Sequence, residues 1–234
     1  MARTEALKTK VAKPASVAAA PDVPSREERL VAWLKANQKL LAIAGGVVAG
    51  IVLITWFLSV SSARKEAFAR AQLEQAWAAQ DGGNLPQAAS ELQRVATTYA
   101  GTRAAHEAVL SLNQTRLLLG QAQLAVDDVR RYLDRNPPAW AQTRAYVLLG
   151  TGLENLSRPA EAAAAYDAAV ERADMDFEKA DALVSAARAW EAAGNRDQAV
   201  ARLRRVVEEY KETGAHGLAE LRLGELTGGP TKTP

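Results

Sequence analysis

The sequence predicts an all-α protein: a single N-terminal transmembrane helix, then a solenoid of about four helical hairpins closed by a C-terminal capping helix. Three observations predict it. Leu40 to Val60 is a run of 21 residues without a charge, which as a helix reaches roughly 31 Å, the thickness of a bilayer's hydrocarbon core. Behind it a pattern recurs every 37 residues, in which Gly83, Gly120, Ser157 and Gly194 precede Ala88, Ala125, Ala162 and Ala199 by five. Two more columns keep the same register: Leu73, Leu110, Val147 and Val184 ten before the small residue, and Leu92, Val129, Tyr166 and Leu203 nine after it.

Residues 1–25 mix lysine, alanine and proline without apolar periodicity and predict a disordered basic cytoplasmic tail. Ser25-Arg-Glu-Glu28 has the spacing of a capping box and opens a juxtamembrane helix over 26–39. The span itself, 40–60, is longer than a signal peptide's apolar core and begins only after residue 39, although Ser61 and Ala63 imitate a cleavage site. Trp33 before it and Trp56 and Phe57 near its end suit the two interfacial belts.

Basic residues resist translocation, and eight precede the span: Arg3, Lys8, Lys10, Lys13, Arg26, Arg29, Lys35 and Lys39. Only Arg64, Lys65 and Arg70 follow it closely, so the N-terminus is expected in the cytoplasm and residues 63–234, with the repeat domain over 63–226, across the membrane. Within the span Ala42, Gly46 and Gly50 fall four apart. That spacing lets a second membrane helix approach, from a like chain or a larger membrane complex, and is equally the ordinary glycine content of membrane helices.

Charge and residue types exclude several function classes. The net charge is +2, the first 39 residues carry +4, and the remainder is near −2, so the repeat region has no nucleic-acid footprint. The chain has no cysteine, which removes disulfides, thiolate ligands, a cysteine nucleophile and a lipidated cysteine anchor. His106 and His216 occupy different register positions and read as surface residues; Asp127-Asp128 and Glu208-Glu209 read as solvated helix faces. With no phosphate loop, nucleophile elbow or HExxH, the sequence predicts no catalytic residue, no metal and no cofactor.

Turn chemistry supports two helices per repeat. Asn84 with Gln87, and Asn195 with Gln198, provide an N-cap and its third-position partner. Pro86 and Pro159 fall in the first turn of a second helix, and Asn136-Pro137-Pro138 stops another. The alanine column predicts close helix crossings. Leu149-Gly150, Leu153, Ala162, Tyr166 and Ala169, with Pro137 in the repeat before, resemble the tetratricopeptide repeat, whose usual period of 34 is lengthened here by three. Leu221 and Leu223-Gly224 continue the register into the capping helix, and residues 227–234 read as a frayed tail.

One span preceded by Trp33-Leu-Lys-Ala-Asn-Gln-Lys39 and followed by such repeats also resembles the bacterial ancillary Sec-translocon subunits. That resemblance implies a periplasmic scaffold beside the translocon, working with a chaperone or prolyl isomerase; a scaffold for envelope assembly or cell division is the alternative. Repeat geometry points Arg70, Trp77, Glu107, Gln114, Arg144, Thr151, Asp181 and Arg188 into a partner-binding groove. Trp77 reads either as an aromatic anchor there or as a contact to a membrane-proximal helix.

Overall fold

The computed structural model describes residues 25–228, so all but Ser25 of the tail expected over residues 1–25, and the last six residues of the chain, lie outside it. Among the described residues there are ten helices: α1 (Arg26–Ala36), α2 (Gln38–Asp81), α3 (Leu85–Thr98), α4 (Arg103–Leu118), α5 (Ala122–Asp134), α6 (Ala139–Asn155), α7 (Pro159–Val170), α8 (Asp176–Ala192), α9 (Arg196–Glu209) and α10 (Ala215–Thr227). The chain divides into two compact units at Leu58/Ser59.

In the first unit α1 opens on Ser25, whose Oγ accepts from the Glu28 amide at 3.2 Å while the Ser25 amide donates to Glu28 Oε2 at 2.8 Å. None of its residues is buried. α2 is long and apolar enough to cross a membrane, by length and composition.

In the second unit α2 (from Ser59) shares an apolar cluster with α3 and α4 through Leu73, Leu92 and Leu112, and α3 and each later helix stack on their neighbours in sequence, with α6 also touching α4 and α10 touching α8. The repeat columns explain the stacking. Ala88, Ala125, Ala162 and Ala199 are buried, as are Leu92, Val129, Tyr166 and Leu203, so the second helix of every hairpin drives the same face inward. The third column is less uniform: Leu73 and Leu110 are buried, Val147 and Val184 only partly. Three apolar clusters succeed one another along the stack, the largest around Tyr166 and Leu153.

The small-residue column marks left-handed helix ends. Gly83, Gly120 and Gly194 have φ of +77°, +74° and +78°, and Ser157 adopts +56°. At each, two amides reach back onto the helix just completed, as in Asn84 to the Ala79 carbonyl (2.9 Å) and Gly83 to that of Gln80 (2.9 Å), and in Arg158 to Leu153 (2.9 Å) and Ser157 to Glu154 (2.8 Å). This is the double closure of a Schellman end, which satisfies carbonyls the helix leaves orphaned. Asn84 and Asn195 then cap α3 and α9 by accepting from the Gln87 and Gln198 amides, each at 3.3 Å.

At the opposite edge, where α4 begins, Thr102 Oγ1 accepts from the Ala105 amide at 3.0 Å. Glu66 of α2 adds a carboxylate that accepts from the Arg103 amide (2.7 Å) and the Ala104 amide (2.9 Å). A negative group on the positive end of a helix is favourable. Lys65 Nζ donates to the Ala100 carbonyl (2.8 Å), so two consecutive residues clasp the α3–α4 turn.

Candidate interaction surface

The eight sequence-predicted groove residues fall on successive first helices, α2, α4, α6 and α8, two per helix. Arg70, Gln114, Arg144, Asp181 and Arg188 are exposed; Trp77, Glu107 and Thr151 are half-buried. Direct contact joins one pair, Arg144 Nη2 donating to Gln114 Oε1 at 2.9 Å across α6 and α4. The same junction is bridged elsewhere by other residues. Trp77 Nε1 donates to Ser111 Oγ at 3.1 Å from α2 to α4, with its ring packed against the cluster of Leu73 and Leu112. Arg188 of α8 donates to both oxygens of Glu154 on α6, at 3.2 and 2.9 Å. The junctions α2–α4, α4–α6 and α6–α8 thus each carry a polar tie between side chains.

The Arg188 rung continues inward. Tyr166 OH donates to Glu154 Oε2 at 2.7 Å and lies 3.1 Å from Thr151 Oγ1. Burial pushes the Tyr166 phenol up to about 12, so it stays a donor at any physiological pH. The hydrogen bond from Arg188 to Glu154 raises the guanidinium's pKa above its ordinary value. Arg70 pairs along its own helix with Glu74 at 3.5 Å, and Glu107 accepts from Arg103 at 3.0 Å. Val184, Arg188 and Glu191 of α8, with Leu203 of α9 and Leu218 and Arg222 of α10, enclose a cleft of about 190 Å³.

Three features were not expected from sequence. Asp128 is half-buried rather than on a solvated face, and accepts from Arg116 (2.7 Å), Arg131 (2.9 Å) and the wholly buried Asn113 (3.1 Å). Burial opposes its charge, but the hydrogen bonds from Arg131, Asn113 and Arg116 outweigh it and hold the carboxyl below the usual carboxylate range. His106 is no free surface residue either: its Nδ1 lies 2.9 Å from Tyr132 OH, and Trp140 meets its ring edge-on with centroids 6.2 Å apart. Burial lowers its pKa against an opposing pull from Glu66.

The third feature is a pair of clefts between second helices. One, about 350 Å³, has Gln93, Val109, Asp128 and Arg131 in its lining; the other, about 530 Å³, has Asp167, Leu183, Arg202 and Arg205 at the same register two repeats later. At the intermediate repeat the corresponding position is Tyr146, with the Arg172 guanidinium 4.3 Å above its ring. Among the described residues no cluster of three or more His, Asp or Glu is arranged to hold a metal ion.

Residues 181–213, spanning most of α8 and all of α9, match the tetratricopeptide repeat family. The fold is a tetratricopeptide-like solenoid. Solved structures share it: the nearly identical TPR-like repeats of a kinesin light chain protein from Podosopora anserina (TM-score 0.58, 17% identity, over 70% of this chain and 87% of that one). A tetratricopeptide repeat protein from Parabacteroides merdae is similar at TM-score 0.54 and 14% identity, over 68% of this chain and 60% of that one. A structure of MamA protein is similar at TM-score 0.51 and 16% identity, over 68% and 82%. No curated protein matches the chain in sequence.

Proposed function

We propose that the chain is a membrane-anchored scaffold that binds other proteins along its first helices and performs no chemistry. The observation that carries this reading is the row of exposed Arg70, Gln114, Arg144, Asp181 and Arg188 on four consecutive helices. Arg144 and Arg188 are already held in position by Gln114 and Glu154. Side chains fixed before a partner arrives lose less rotamer freedom on binding. Their mixed charge suits a polar polypeptide better than a nucleic acid.

The run Leu40 to Val60 is the anchor in this reading, with the basic tail cytoplasmic and the repeats in the periplasm of a bacterial inner membrane. Confinement to a surface raises the effective concentration of scaffold and partner, so weak contacts suffice. The partners are the Sec translocon and a periplasmic chaperone or prolyl isomerase, on the strength of the span, the Trp33–Lys39 segment and the repeats together.

Photo-crosslinking from Arg144 and Asp181 positions in intact membranes tests the partner. Adducts with translocon subunits or periplasmic folding factors are expected, and adducts with cytoplasmic proteins alone overturn the topology. Protease treatment of spheroplasts reads the same point independently: residues 63–226 are expected to be digested and the tail protected.

A further inference from the structure

The five first helices of the stack repeat one packing face, and four of them bury it. Ala71, Ala108, Ala145, Ala182 and Ala219 occupy a single register position. The last four are 0–2% exposed, each against the hairpin before it, whereas Ala71 is exposed. Its neighbours on that face behave alike. Ala67, Phe68, Gln75 and Ala78 are all exposed, while their counterparts in α4, Ala104, Ala105, Leu112 and Thr115, are all buried. Phe68, 66% exposed, is the most conspicuous. Among the described residues the first helix therefore carries a finished stacking face with no hairpin upon it.

We propose that a second copy of this chain covers this face, the two Ser59–Asp81 segments lying side by side in parallel. The face is of the kind this chain already packs helix against helix, and alanine at 71 allows the 8–10 Å approach such packing needs. Across a two-fold axis the residues near the centre meet their own counterparts. Gln75 is suited to that, because an amide offers both a donor and an acceptor to its twin. Phe68 of each copy leaves water in the same event. The inference rests on the membrane-anchored reading, since copies leaving one bilayer from the same side share the chain direction that parallel pairing requires.

The absence of cysteine allows a clean test with the full-length chain in native membranes. Single Ala71→Cys and Ala78→Cys variants are oxidised and compared with Arg70→Cys, on the same helix but turned away from the face, and Asp127→Cys on α5. A disulfide needs Cα atoms within about 7 Å, so dimer yields roughly tenfold higher at 71 and 78 than at 70 and 127 are expected. Equal yields at all four positions, or none at 71 and 78 in membrane-bound chain, overturn the pairing. So does a photo-crosslinker at Phe68 that joins a different protein, or that reaches the exposed Leu218 and Leu221 of α10 in another copy. Recovery of the chain in the aqueous fraction overturns the anchor instead, so the two failures are told apart. A Phe68→Glu variant with unchanged helical signal is expected to sediment as a monomer in mild detergent; a persisting dimer also overturns the pairing.

Discussion

Gly150 of α6 lies directly beneath the ring of Tyr166 on α7: a methyl group added at Gly150 meets Tyr166 Cε1 at 2.6 Å, Cζ at 2.7 Å and Cδ1 at 2.8 Å. The glycine is there for space, not for backbone freedom. Tyr166 is 1% exposed and anchored at its hydroxyl, so it has no room to retreat.

Gly150→Ala is therefore expected to destabilise the repeat domain by about 1–3 kcal/mol, the usual range for overpacking a core. Urea or thermal unfolding measures it. In a Tyr166→Leu background the same substitution is expected to cost much less, because the obstructing ring is gone.

Ser157 occupies the left-handed position that three other repeats fill with glycine. A side chain there is disfavoured by roughly 1–2 kcal/mol, so Ser157→Gly is expected to stabilise by up to about 1 kcal/mol once the glycine's greater unfolded freedom is subtracted. Gly120→Ser is expected to shift stability by a similar amount the other way. Paired denaturation curves check both signs.

Arg116 links three hairpin elements through Asp128, Asn113 and Gln93. Arg116→Ala removes a charged hydrogen bond from the half-buried Asp128, and a loss of about 1.5–3 kcal/mol is expected. Arg116→Ala with Asp128→Ala is expected to lose less than the two single changes summed, since each alone strands a partner. A double-mutant cycle reads the difference.

Acid sensitivity follows from two groups with lowered native pKa values. For His106 the unfolded value is about 6.5, so the unfolded chain takes up a proton first and stability falls as pH drops from 6.5 towards the native value. For Asp128 the contribution is complete above the unfolded value of about 3.9 and is lost as pH falls through its lower native value. His106→Gln is expected to abolish the upper stage and leave the lower one, as measured by stability against pH.

Much of this architecture is legible before any coordinates, because its determinants are local. The Gly83, Gly120, Ser157 and Gly194 spacing reports a backbone conformation set within six residues, and Ala88, Ala125, Ala162 and Ala199 report one crossing inside each hairpin. The Ala71 to Ala219 column was equally available and marks the stacking faces between hairpins. What eludes a one-dimensional reading depends on how far one hairpin is rotated from the next. Asp128 and Asp127 are neighbours in sequence, yet only Asp128 is turned towards Arg116 and Asn113. Trp77 is half-buried because its ring packs against the cluster of Leu73 and Leu112, where its indole nitrogen meets Ser111, 34 residues on in the next hairpin.

Every helix from α3 onward rests on elements adjacent or next-but-one in the chain, and none reaches across the length of the stack. Such a protein has no keystone. Loss of order at one end need not propagate to the other, and a gene that gains or drops one 37-residue unit changes the molecule's reach while leaving the remaining joints as they were.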